Sequence, residues 1–181
     1  KAGLNVKWGN IAPFRNVKVR LLNGPHTMMS SVCFLAGADT VLDVMEDETL
    51  RKFIENGMLN DIYPTVDIDD NEKKEFVRAV IERFLNPYNK HFLKDIALSS
   101  VSKFKTRLIP SLLDYAEQNS TLPPSITFAL AGLLASNRPI RVEGSDLVGK
   151  RGDSEYTIRD NSEVIKALHL AWNKYDGTAD G

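Results

Sequence analysis

A single cysteine, Cys33, excludes both an intrachain disulfide framework and a cysteine-built zinc site. It lies in the apolar run Val32-Cys33-Phe34-Leu35 without a basic neighbour to stabilise a thiolate, so a buried, inert thiol is predicted rather than a nucleophile. Long hydrophobic runs are missing too. No stretch approaches the ~20 apolar residues that cross a bilayer, and the first residues lack the basic-then-apolar layout of a secretory leader. No membrane partner is expected, and a reducing cytoplasm is the expected location. Nor is there an excess of positive charge. Lys and Arg number 23 against 24 Asp and Glu, so nucleic acid is not an expected partner.

What is present suffices for one core. The 181 residues are 43% hydrophobic and 26% charged, which predicts one domain over residues 1–181. The chain begins at Lys1 without a methionine and stops at Asp176-Gly177-Thr178-Ala179-Asp180-Gly181 directly after an amphipathic stretch. Both ends are expected to be cuts in a longer polypeptide.

Helical periodicity dominates. After an extended lead-in from Trp8 to Pro13, Gly24-Pro25 predicts a helix that starts or kinks there and runs to Leu35, stopped by Gly37. Further helices are predicted from Thr40 and from Glu48, the latter ending at Gly57. The acidic cluster Asp67, Asp69, Asp70 and Glu72 suits the positive end of the next helix, which Asn86-Pro87 closes. A long helical stretch from Asn89, interrupted near Pro110, is predicted to end before Leu122-Pro123-Pro124. Ser125–Leu134 is apolar nearly all round, which predicts a helix at the centre of the core. Residues 139–161 carry three glycines and many charges, and read as a solvated excursion with a short hairpin at most. A final helix is predicted from Ser162 as N-cap, with Val164, Ile165, Leu168, Ala171, Trp172 and Tyr175 on its apolar face. The expected class is all-α.

The segment Lys18-Val19-Arg20-Leu21-Leu22-Asn23-Gly24-Pro25-His26 spaces a lysine, an asparagine and a histidine as K-x4-N-x2-H. On an ideal helix Asn23 lies about 140° and His26 about 80° from Lys18, so the three share less than half the circumference. Such a group suits reversible hydride transfer to a carbonyl. A desolvated lysine with a lowered pKa can take a proton from an alcohol or return it, while Asn23 and His26 donate hydrogen bonds to the developing oxyanion. Spacing alone leaves the ordinary alternative open, because lysines and asparagines are common on surfaces and a histidine near a helix start is often a cap. A helical interaction module without chemistry is the corresponding alternative.

Two sequence matches are discounted. Gly144–Lys150 follows the first part of a phosphate-binding loop, but Arg151 stands where a magnesium-binding Ser or Thr is needed. Arg151-Gly152-Asp153 is the adhesion tripeptide, here expected to be coincidental.

Lys18-Val-Arg-Leu-Leu-Asn23-Gly-Pro-His26 resembles the signature of the mannitol dehydrogenase family, the polyol-specific long-chain dehydrogenases. Arg83-Phe84-Leu85-Asn86-Pro87 and Ser102-Lys103-Phe104, followed by Leu108-Ile109-Pro110-Ser111-Leu112, are similar to two further segments of that family in the same order. Leu35–Thr40, Asn86–His91 and Leu112–Tyr115 look most like its tagaturonate reductase (altronate oxidoreductase) branch. The resemblance implies a helical C-terminal domain akin to that of 6-phosphogluconate dehydrogenase. It also implies an N-terminal Rossmann domain, outside this chain, that binds NAD and contributes a further active-site asparagine. Lys18 would be the acid/base, with Asn23 and His26 orienting the reacting oxygen and no catalytic metal. Lys103 would contact substrate, and His91 and Arg20 are further candidates, with Lys94 a weaker one for a substrate carboxylate. Mannitol-type relatives carry an arginine where this chain has Asp95, which argues against a mannitol-type hydroxyl clamp. His169 is expected to be structural. The implied reaction is NADH-dependent reduction of D-tagaturonate to D-altronate, with fructuronate or mannitol as alternative specificities. Without the nucleotide domain the fragment is expected to be inactive.

Overall fold

Pro25 interrupts the first helical rod without ending it. In the computed structural model, which describes residues 9–175 and Gly177, the rod starts well before that proline. It comprises α1 (Ala12–Lys18), a π-helical turn (Val19–Asn23), α2 (Gly24–Met28) and a second π turn (Met29–Cys33). Proline lacks an N–H and its ring crowds the carbonyl four residues back. Here the Gly24 N–H reaches Val19 O, five residues back, and the widened turn absorbs the crowding. In the second π turn the Ser30 and Ser31 hydroxyls donate to Thr27 O at 3.1 and 2.6 Å, competing with the ladder. The helix expected to begin or kink at Pro25 therefore begins at Ala12. Trp8, where the extended lead-in was expected to begin, lies outside the described residues, as does the terminal run from Asp176 apart from Gly177.

Short capped helices wrap the rod. Thr40 closes a capping box on α3 (Val41–Glu46): its hydroxyl accepts from Asp43 N, and the Asp43 carboxylate accepts from Thr40 N. Asp47 caps α4 (Glu48–Asn56). Gly57, expected as a stop, instead opens a π turn (Gly57–Ile62) and then a 3-10 turn (Tyr63–Thr65), because its φ of −62° keeps it helical. Asp69 caps α5 (Asp70–Phe84) by accepting from Asn71 N and Glu72 N, as the acidic cluster suggested.

The long helix expected from Asn89 does not form. Residues 86–92 are irregular, followed by α6 (Leu93–Ile96), α7 (Ser100–Arg107) and α8 (Ile109–Asn119). Ser99 adopts a left-handed φ of 56° before α7. The break is stabilised from outside: Asp160 accepts from Val101 N and Ser102 N at 3.1 and 3.3 Å and from Ser102 Oγ at 2.6 Å. A carboxylate at that helix start satisfies donors that a continuous helix would have used internally.

Buried Asp61 caps α9 (Pro124–Ser136) by accepting from Ser125 N and Ile126 N at 2.7 and 3.0 Å. Ile126, Ala129 and Leu133 face the core, but Phe128 is 60% and Leu134 52% exposed. The expected central helix is thus a surface helix with an apolar outer side. Composition alone does not distinguish an enclosed helix from one packed on a single face.

Residues 139–161 are more ordered than expected. They form a three-stranded antiparallel sheet of β1 (Arg141–Glu143), β2 (Asp146–Arg151) and β3 (Ser154–Ile158), with Val148 opposite both Arg141 and Thr157. Gly144 (φ 61°) and Gly152 (φ 56°) open its two-residue connections, where a positive φ lets the strands reverse. The discounted phosphate-loop match is therefore a hairpin turn and a strand. The Arg151 guanidinium docks on Phe34 O and Ala38 O at 2.9 and 3.1 Å and pairs with Asp39, so it closes the end of the first rod.

Leu147 and Ile158 pack with Ile165 of α10 (Ser162–Lys174), while Tyr156 meets Phe34 edge-on at 5.0 Å and joins this small cluster to the main core. Asn161, not Ser162, caps α10, its side chain accepting from Val164 N at 3.0 Å. The architecture is mainly helical, and no helix among the described residues is long and apolar enough to cross a membrane.

Candidate active site

Lys18 precedes the first π turn and Asn23 ends it. Hydrogen bonds spanning five residues bring positions five apart closer to alignment than an ideal α-helix allows, so the 140° separation narrows. Lys18, Asn23 and His26 line one cavity of about 410 Å³. The end of α5 adds Arg83 and Phe84, the irregular 86–92 segment adds Asn89 and His91, and α7 adds Lys103 and Arg107.

The His91 loop is clamped by backbone. Val41 N donates to His91 O at 3.0 Å and Leu93 N to Asp39 O at 2.8 Å, flanking a bridge between Thr40 and Phe92. These bonds hold the His91 ring 4.8 Å from that of His26, which also packs on Phe84 at 4.7 Å. His26 is buried, and burial first, then the neighbouring His91, Arg107 and Arg83, push its pKa down to about 3. It is therefore a neutral imidazole at any ordinary pH, able to donate a hydrogen bond but not to serve as a cationic acid.

Positive charge prevails around it. Lys18, Arg83, Lys103 and Arg107 line the cavity with one carboxylate, Asp95. Lys103 donates to Ile96 O at 2.8 Å, and its pKa is lowered by burial and then by Arg107. Burial also lowers that of Arg107. Cations held half-buried beside one another favour an anion among them.

Five sequence candidates therefore meet: Lys18, Asn23, His26, His91 and Lys103. Arg20 does not join them. It binds Asp114 and Thr65 O on another side of the rod, because a residue two positions from Lys18 is rotated about 200° on a helix. Lys94 is turned away as well, with its ammonium 5.6 Å from the Phe92 ring centre. His169 pairs with Asn173 at 3.0 Å in α10. Lys18 is exposed at the cavity rim, so the desolvation expected for an acid/base lysine is not supplied by the described residues alone.

Sequence reasoning missed Arg107, Asn89 and any role for Arg83. Arg107 had a signal, since it stands four residues after Lys103 and so on the same face of α7. Asn89 had none, because only the fold of an irregular loop aims it inward. Cys33 is fully buried, and burial pushes its thiol up to about 12.

Residues 10–149 match the family described as the mannitol dehydrogenase C-terminal domain. Altronate oxidoreductase of Halalkalibacterium halodurans is 42% identical over 174 residues, covering 96% of this chain and 34% of the relative. That of Klebsiella pneumoniae is 38% identical over 176 residues, covering 97% and 34%. The chain thus spans about a third of the length of these relatives. Among solved structures, Pseudomonas fluorescens mannitol 2-dehydrogenase in ternary complex with NAD and D-mannitol superposes with a TM-score of 0.72 at 19% identity, over 88% of this chain and 31% of that one. Substrate-free D-sorbitol dehydrogenase gives 0.73 at 23% identity, over 91% and 32%. At those identities the superpositions speak for the fold, and with the family pattern matched over most of its length the chain belongs to the mannitol dehydrogenase family, as its C-terminal domain.

Proposed function

We propose that this chain is the substrate-binding and acid/base domain of an NAD-dependent oxidoreductase that interconverts D-tagaturonate and D-altronate. The observation that carries the proposal is the cavity itself. It combines Lys18, Asn23 and His26 with a four-to-one excess of basic over acidic side chains, a setting for an anionic sugar rather than a neutral polyol. The similarity to altronate oxidoreductases points the same way.

The described residues contain no βαβ unit, and the phosphate-loop-like stretch among them is a hairpin. NAD would be held by a nucleotide domain outside this chain, and when bound it exchanges a hydride with the substrate carbon. The residues here handle the oxygen and its proton. In the reductive direction the Lys18 ammonium gives its proton to the carbonyl oxygen as that oxygen becomes a hydroxyl; in reverse, the neutral amine takes it back. Asn23 and neutral His26 donate hydrogen bonds to the oxygen while it carries negative charge, stabilising the transition state more than the ketone.

The test uses the full-length protein in a soluble extract-free assay of NADH consumption with D-tagaturonate, D-fructuronate and D-fructose offered separately. Fast turnover of D-tagaturonate, reduced by about two to four orders of magnitude in Lys18→Ala, is expected. Turnover of fructose alone, or an unimpaired Lys18→Ala variant, overturns the assignment.

A further inference from the structure

We propose that Arg107 anchors the carboxylate of the sugar-acid substrate and so selects acids over neutral sugars. The inference rests on the oxidoreductase proposal above and names a specificity residue within that site.

Arg107 lies on α7, one turn beyond Lys103, and is half-buried in the wall of the cavity that holds Lys18, Asn23 and His26. Its Nη1 donates to Thr27 Oγ1 at 3.2 Å, and the Thr27 hydroxyl donates to Asn23 O at 3.0 Å. The guanidinium is thereby fixed to the rod that carries the reacting group. Among the described residues no carboxylate lies within ion-pair distance of it, whereas Arg20, Arg151 and Arg159 each have one. Asp95 lines the same cavity from α6, and Asp160 is engaged by the start of α7. A half-buried guanidinium without a counter-ion, aimed into a cavity beside Lys103, has the fork geometry that a carboxylate satisfies with two parallel hydrogen bonds.

Its place along the rod agrees. Thr27, which holds Arg107, follows His26 in the rod, so the guanidinium enters the cavity beside a group that would bind the reacting oxygen. In tagaturonate the carboxylate lies within one six-carbon chain of the ketone, so a ketone held by Lys18 and His26 leaves the carboxylate within the cavity that Arg107 lines. Burial and Arg107 together lower the proton affinity of Lys103, and an anion between the two cations removes that penalty.

The experiment measures steady-state kinetics of full-length wild type, Arg107→Gln and Arg107→Lys with D-tagaturonate and with D-tagatose, its neutral analogue. Loss of the charged hydrogen bonds is expected to raise KM for D-tagaturonate roughly tenfold to a hundredfold in Arg107→Gln, with kcat within a few-fold. KM for D-tagatose, which lacks the carboxylate, should change by a far smaller factor than KM for D-tagaturonate. Arg107→Lys, which retains charge without the fork, should fall between them, and it carries the test if Arg107→Gln does not fold. An unchanged KM for D-tagaturonate, or equal losses on both sugars, overturns the carboxylate role while leaving the oxidoreductase proposal standing. A wild type that reduces only neutral ketoses overturns both.

Discussion

His26 couples the site to stability. Its folded-state pKa of about 3 lies far below the 6.5 of an unfolded histidine, so between those values the unfolded chain binds a proton that the native one refuses. Above pH 6.5 both forms are neutral and the group does not favour unfolding; as pH falls from 6.5 toward 3, stability is lost by at most ~1.4 kcal/mol per pH unit. Denaturant unfolding of wild type and His26→Gln at pH 7 and pH 5 is expected to show a shallower pH dependence in the variant. Parallel curves would show that His26 is not the titrating group. Among the other candidates, Lys103 and His91 joined the cavity and Arg20 did not, although all stand beside signature residues. The face of α7, a loop clamp and an ion pair to Asp114 made that difference.

At the scale of elements, the rod owes its register to its two π turns, and the second is where α9 packs most closely. A methyl added at Gly132 would sit 2.6 Å from Val32 Cγ2 and 3.4 Å from the Ser31 backbone. Alanine ordinarily stabilises a helix interior over glycine by about 0.5–1 kcal/mol, but a β-branched side chain on a buried rod yields little. Gly132→Ala is therefore expected to destabilise by about 1–3 kcal/mol, read from the midpoint of chemical denaturation. A gain in stability would mean that α9 shifts freely. Several of these elements were legible: a helix from Thr40, the acidic start of α5 and the last helix after residue 161 follow from spacing. The π turns, the 86–92 loop and the sheet were not. Gly144 and Gly152 were visible as glycines, but their positive φ was not.

At the scale of the whole molecule, residues 139–161 have a structural task. Asp160 starts α7 and Asn161 starts α10, so this segment sets the helix that presents Lys103 and Arg107. A polypeptide of these 181 residues, with no βαβ unit among those described, is expected to show no NADH oxidation with D-tagaturonate under conditions where the full-length protein turns over. Measurable turnover by the isolated domain would place cofactor binding here and overturn that division of labour.

The sequence by itself determined the helical class, the family and the placing of Lys18, Asn23 and His26 on one side of one rod. Those are matters of local periodicity and of residue types at fixed spacing within one helix. Only the tertiary structure decided which cations surround that trio. Lys103, Arg83 and Arg107 come from segments separated by many residues, and their convergence depends on how Asp160, the Thr40 bridge and the widened turns of the rod set each helix against the next. Such contacts are long-range choices of packing and capping, which no single stretch of sequence encodes alone.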